Sequence, residues 1–197
     1  MPRGVGLNKE KIILYAATVV DQNGMDALSL KEVAHNFKVS TPSLYKHIKG
    51  LDELKDSVAE YGMTLLKERL ARAMVEHDGI EAIKGLMHAY IGFARDHAGL
   101  YETVQWMNVM DDGTAESLFS ELVQLMYDIS ASIGVDEVDA SHITRVARSL
   151  AHGLACIGSH GGFSHPSSIE ETADYAIDTF ILGIKARQQT QGEGTQE

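Results

Sequence analysis

Apolar residues recur along this chain at the three-and-four spacing of helices, and no stretch shows the alternation of a half-buried strand. The pattern predicts an all-α fold of about nine helices. Ile12, Ile13, Ala16, Ala17 and Val20 form the inward stripe of a first helix over residues 9–22, capped by Asn8 and ended at Asn23-Gly24. Two short helices then fill residues 29–49. Ser29 and Glu32 have the spacing of a capping box, and Leu30, Val33, Ala34 and Phe37 share one face of the helix they open. Lys38-Val39-Ser40 is a connection of turn length. Ser40 or Thr41 is placed to cap the next helix, where Pro42 in the first turn costs no hydrogen bond. Leu44 and Ile48 face inward, and Gly50 is the expected stop.

Beyond this point the helices lengthen. A fourth is predicted from about Asp52 to about Val75, with Leu54, Val58, Tyr61, Leu65, Leu66 and Leu70 as its apolar face. His77-Asp78-Gly79 breaks the pattern. Helices are then expected over residues 80–97, 100–110 and 114–133, the last ended by Gly134. Asp139 or Ser141 is the expected cap of the next, which reaches about Ile157. Residues 158–167 read as a Gly- and Ser-rich loop. Ser168 and Glu171 form a second capping box, opening a last helix to about Arg187. The apolar-free stretch 188–197 is expected to be a disordered tail.

The pair of helices over residues 29–49 has the layout of a helix-turn-helix, whose second helix enters the major groove with its first residues on base edges. An ordinary helical hairpin has the same periodicity. Sequence detail favours the former: Val39-Ser40-Thr41-Pro42-Ser43-Leu44-Tyr45-Lys46-His47-Ile48 and Leu51-Asp52-Glu53-Leu54, with the apolar positions upstream from Ile12, resemble the DNA-binding domain of TetR-type regulators. Further on, Arg148-Ser149-Leu150-Ala151-His152-Gly153 resembles the subgroup whose C-terminal domain carries a Trp-His-Gly motif. Ser149 or Leu150 stands where that motif often has an aromatic residue.

The resemblance implies a division into a helix-turn-helix domain (1–50), a connecting helix (51–77) acting as a lever, and a helical ligand-binding and dimerisation domain (78–187). It also implies a role for named residues. Thr41, Ser43 and Lys46 lie where side chains reach the bases, and Pro42 belongs to the same DNA-binding set. Tyr45, His47 and Lys49 match positions that contact phosphates, and Ser29 and Lys31 are backbone anchors. Leu51 stands where the family commonly has a lysine, which implies one phosphate contact fewer, with affinity either lowered or held by Lys49 or Lys55. Tyr90, Phe93, Trp106, Met107, Met110, Phe119, Met126 and His152 are candidates for an effector pocket, since methionines and aromatics suit an irregular apolar cavity. Plain core packing explains any one of them equally well. The last two helices carry a face of small residues, Ala147, Ala151 and Ala155, and a stripe of Ile177, Phe180, Ile181 and Ile184. Two such hairpins make a four-helix bundle across a two-fold axis, although intramolecular core must account for part of each stripe.

Charge adds one qualification. A net charge of −11 speaks against a nucleic-acid partner, but its distribution does not. Residues 1–50 hold seven Lys/Arg against four acids, whereas the remainder holds ten basic and twenty-four acidic groups. A basic head on an acidic body suits a protein that meets phosphates at one end. The lone Cys156 excludes an internal disulfide and fits a reducing compartment. No apolar run approaches a membrane span, and the first ten residues lack the apolar segment of a signal peptide, so a cytoplasmic location without membrane contact is expected. The nine histidines include no helical HxxxH pair and no CxxC clip, so no metal is expected. GxSxG, GxxxxGK[ST] and GxGxxG are absent, so neither catalysis nor a cofactor is expected.

The sequence thus points to a one-component transcriptional regulator, a repressor that binds a pseudo-palindromic duplex operator as a homodimer and is released by a small hydrophobic or amphipathic effector. A constitutive dimeric DNA-binding protein and a helical protein-interaction module are the alternatives.

Overall fold

The computed structural model describes residues 6–75, 77–107, 114–159, 162 and 168–193, without the side chains of residues 106, 107, 114–119, 121, 122, 159 and 191–193. These residues form nine α-helices and no strand: α1 Lys9–Asn23, α2 Leu30–Asn36, α3 Thr41–Leu44, α4 Leu51–Val75, α5 Gly79–Asp96, α6 Ala98–Met107, α7 Thr114–Ser132, α8 Glu137–Ser159 and α9 Ile169–Glu193. A 3₁₀ turn, Met25–Ala27, links α1 to α2. The all-α expectation holds.

Packing groups the chain into two compact units. The first is Met1–Leu65 with His97–Asp112, and the second is Leu66–Asp96 with Gly113–Glu197. This differs from a division into residues 1–50, 51–77 and 78–187. Helix α4 is shared between the units, and α6 belongs with the N-terminal helices.

In the first unit Ile12, Ala16, Val20, Val33, Leu44, Ile48, Leu54, Val58 and Met63 are buried together. Helix α6 docks on α1 through Gly99. A Cβ there would lie 2.8 Å from the Asp21 Cα and closer still to the Val20 carbonyl oxygen, so only glycine permits the approach. Asp21 completes the joint, accepting the Leu100 N–H at 3.3 Å and lying 2.7 Å from His97 Nδ1.

In the second unit α8 packs on α5 and α7, and α9 lies against α5 and α8. Its core includes Ile83, Met87, Phe93, Ile143, Leu154, Ile177 and Ile181. Three polar contacts run antiparallel between α5 and α9: Lys84–Asp178 at 2.5 Å, His88–Asp174 at 3.5 Å and Arg95–Glu170 at 3.1 Å.

Local signals fare well. Asn8 Oδ1 accepts the Lys11 N–H at 2.9 Å. The Ser168 box closes in both directions, with Glu171 N–H on Ser168 Oγ at 3.1 Å and Ser168 N–H on Glu171 Oε2 at 2.9 Å. Two expectations need correction. Helix α8 starts earlier than a cap at Asp139 or Ser141 would allow, because Asp136 caps it by accepting the Asp139 N–H at 2.9 Å. Helix α9 continues to Glu193, so the first part of the expected disordered tail is helical. Gln188 holds that extension by donating to the Ile133 carbonyl at 2.6 Å, and adding residues to a formed helix costs little.

Candidate nucleic-acid interface

The helix-turn-helix rests on α1. Tyr15 projects from it and fastens both ends of α2. Its hydroxyl donates to Glu32 Oε1 at 2.9 Å, and its ring meets the Phe37 ring edge-on at 5.6 Å and 75°. The hydrogen bond to Glu32 raises the Tyr15 pKa above its usual 10.0, with desolvation and the carboxylate charge acting in the same direction. Ser29 Oγ accepts the Glu32 N–H at 3.2 Å, as expected of an N-cap. The return arm of that capping box is not made, because the Glu32 carboxylate is held by Tyr15.

The turn after α2 is a Schellman cap. Val39 N–H reaches the Ala34 carbonyl at 3.0 Å and Lys38 N–H reaches that of His35 at 3.1 Å. This requires a left-handed residue, and Lys38 supplies it with φ 54°. The following helix is brief. Regular α-helix covers only Thr41–Leu44, with Pro42 in its first turn, and bonds from His47 and Ile48 N–H to the Leu44 carbonyl carry a turn beyond it. Ser40 makes no side-chain cap to the backbone; its hydroxyl lies 2.9 Å from that of Ser43. The expected Ser40 or Thr41 side-chain cap is therefore replaced by a hydroxyl pair.

Leu44 and Ile48 are buried, as their spacing predicts, and they fix the outward direction of their neighbours. Lys31, Pro42, Tyr45, Lys46 and Lys49 are exposed, while Ser29, Thr41, Ser43 and His47 are half-buried. All nine belong to the first unit. The sequence reading missed Glu53. Its carboxylate accepts the Lys49 N–H and pairs with Lys9 Nζ at 2.7 Å, joining the segment after α3 to both α4 and α1. The Lys49 N–H, then Lys9, lower its pKa below the usual 4.5.

The composition of this face, hydroxyls and cations over an apolar anchor, is chemistry for phosphate and base edges. Residues 83–180 match the family described as the tetracyclin repressor-like C-terminal domain. Over 181 residues the chain is 32% identical to an uncharacterised HTH-type transcriptional regulator, YobS, of Bacillus subtilis (strain 168), covering 91% of this chain and 94% of that protein. The chain belongs to the TetR family of transcriptional regulators. A solved structure from Rhodococcus sp. RHA1, of a protein of unknown function, shares its fold with a TM-score of 0.79 at 25% identity, covering 92% of this chain and 97% of that one. So does AibR, crystallised with isovaleryl coenzyme A and operator DNA, at a TM-score of 0.65 and 17% identity over 87% of this chain and 96% of AibR. TetR-family relatives are regulators, not enzymes.

The second unit of this TetR-family chain contains a cavity of 90 Å³. Leu86, Met87 and Tyr90 line it from α5, and Val123, Leu125 and Met126 line it from α7. Helix α8 contributes Thr144, Ala147, Arg148 and Ala151, and Leu70 comes from α4. Of the expected pocket residues Tyr90 and Met126 are here. Phe93 is buried in the core instead, and His152 is half-buried elsewhere on α8. Met110 and the side chains of Trp106, Met107 and Phe119 lie outside the described residues.

The expected dimer residues lie largely inside the single chain. Ala147, Ala151, Ala155, Ile177, Ile181 and Ile184 are all buried within the chain itself, and Phe180 is half-buried. Among the described residues, the large apolar side chains that α8 and α9 expose are others: Val138, Val146 and Ile157 on α8, with Tyr175 (77% exposed) and Leu182 (66%) on α9. Gly153 and Gly183 face open space, where a Cβ would meet nothing. Among the described residues no helix is long and apolar enough to cross a membrane, and no group of three or more His, Cys, Asp or Glu could hold a metal ion.

Proposed function

We propose that this TetR-family chain is a one-component repressor that binds a pseudo-palindromic operator as a homodimer and leaves it when a small hydrophobic or amphipathic effector binds. The observation that carries the reading is the α3 segment: buried Leu44 and Ile48 hold Tyr45, Lys46 and Lys49 outward. Thr41, Ser43 and Lys46 approach base edges, with Pro42 in the first turn of the same helix. Tyr45, His47, Lys49, Ser29 and Lys31 meet the phosphates.

The dimer forms through the exposed face of α8 and α9. A face bearing Val146, Ile157, Tyr175 and Leu182 around two open glycines suits close helix packing about a two-fold axis. Such a dimer presents its two recognition segments to successive major grooves about 34–36 Å apart. The effector occupies the cavity of the second unit and favours a conformer in which the two heads no longer match that spacing. The shift is bounded by its differential affinity for the two conformers. AibR, of the same fold, is a protein crystallised with both an acyl coenzyme A and operator DNA.

Genome-fragment selection with purified protein at near-physiological salt, followed by footprinting, tests the reading. A single enriched pseudo-palindrome supports it. Weak binding without enrichment, lost as salt rises, overturns it, because non-specific phosphate contact alone behaves in that way.

A further inference from the structure

We propose that Tyr15 is a positioning residue for DNA binding: it draws the Glu32 carboxylate toward α1 and so keeps a negative charge off Ser29. This rests on the reading of Ser29 and Lys31 as phosphate contacts above, and adds to it a residue that itself meets no DNA.

Two segments of the chain pose the same local question. Ser29-Leu30-Lys31-Glu32 and Ser168-Ile169-Glu170-Glu171 both have the spacing of a capping box. In each, the serine hydroxyl accepts the glutamate N–H, at 3.2 Å for Ser29 and 3.1 Å for Ser168. Only the second box closes: Glu171 Oε2 turns back to accept the Ser168 N–H at 2.9 Å. Glu32 has the same reach and does not turn back, because the Tyr15 hydroxyl donates to its Oε1 at 2.9 Å. The edge-on contact with Phe37, at 5.6 Å and 75°, holds the Tyr15 ring, so the hydroxyl is aimed. A phenol donating to a carboxylate makes a charge-assisted bond, which competes with the capping arm.

Without the hydroxyl, the exposed Glu32 side chain is expected to swing onto the Ser29 N–H, as Glu171 does at Ser168. A phosphate at Ser29 would then face a like charge and lose a donor to it, since phosphates take their contacts from hydroxyls, backbone N–H groups and cations. The same carboxylate would cancel part of the attraction exerted by the exposed Lys31. Tyr15 thus trades one local cap for a face that admits phosphate.

The test is fluorescence anisotropy of the full chain with a labelled mixed-sequence duplex of about 30 base pairs. At about 50 mM salt phosphate contacts alone give binding, so no operator sequence is needed. Tyr15→Phe keeps the ring against Phe37 and removes only the hydroxyl, and a single cooperative melt is the folding control. Binding is expected to weaken about fivefold, the scale of one hydrogen bond. Adding Glu32→Ala is expected to restore native affinity, because the competing carboxylate is gone. A merely structural Tyr15 predicts the opposite, since the double variant lacks both partners of the clamp. The Ser29 amide proton gives a second readout. It is expected to move downfield in Tyr15→Phe, as it gains a carboxylate acceptor, and to return in the double variant. Native-like binding by Tyr15→Phe, a loss that survives Glu32→Ala, or an unmoved Ser29 amide would each overturn the proposal. A native chain whose duplex binding is absent, or insensitive to salt, would instead remove the DNA-binding reading, and this role with it.

Discussion

Two helix ends in this molecule make the same cap with different residues. At the end of α7, Val135 N–H bonds to the Ser130 carbonyl at 3.0 Å and Gly134 carries the left-handed turn with φ 76°. At the end of α2 the same pattern runs through Lys38 with φ 54°. A side chain in that region crowds its own carbonyl, at a cost of about 1–2 kcal/mol that glycine escapes, although glycine gives back part of the gain in unfolded-chain entropy. Lys38→Gly is therefore expected to stabilise the first unit by about 1 kcal/mol, read as increased protection of its slowest-exchanging amides. A decrease would mean that the lysine side chain does more for the fold than its backbone geometry costs. The position was readable as a turn from Lys38-Val39-Ser40. That a lysine would occupy its left-handed site was not, because side-chain identity at such a site is a preference and not a rule.

The caps at Asn8 and Ser29 and the Ser168–Glu171 box were legible because each is a code within three or four residues, whereas the caps of α3 and α8 were not, since Ser40 pairs with Ser43 and Asp136 opens α8. Nor was the joint between α1 and α6. It is built from Asp21 and Gly99, far apart in sequence, and depends on a backbone approach that no periodicity records. The apolar stripes of α8 and α9 left their partner open for a related reason: a stripe shows that a face is covered, not by which neighbour, and here the chain covers most of it itself. The α1–α6 joint predicts that Gly99→Ala destabilises the first unit by about 2 kcal/mol, since backbone cannot yield as a flexible side chain can. Urea denaturation followed through the first unit's amide signals checks it, and a neutral result would mean that α6 readily slides on α1. Glu53 gives a pH-dependent counterpart. Its pKa is lowered in the folded state, so its contribution is fully present above the usual 4.5 and is lost as pH falls below it. Glu53→Gln is expected to be less stable than the native protein near neutrality and to have a shallower decline on the acid side, measured as melting temperature against pH. Parallel acid limbs for the two proteins would remove Glu53 from this role.

For the molecule as a whole, the decisive question is whether two heads act together, and the exposed face of α9 is where that is tested. Leu182 is 66% exposed in one chain, so its replacement leaves the core of the second unit untouched. Within a dimer built on α8 and α9 the same side chain would be buried against its two-fold copy, where a carboxylate would lose hydration and face its own charge. Leu182→Glu is therefore expected to yield a folded monomer with an unchanged circular dichroism spectrum, seen as a halved mass in sedimentation. DNA binding should then separate into two parts. Affinity for a half-site is set by the α3 segment and should stay within about twofold of the native protein's, because one head meets one groove in either case. Affinity for the full pseudo-palindrome should fall by about 10²–10⁴, because the second head is no longer held near its half-site by the first. A variant that remains dimeric would place the interface elsewhere on the chain. A monomer that kept full operator affinity would show that one head suffices, and the control of head spacing by an effector would then have nothing to act on.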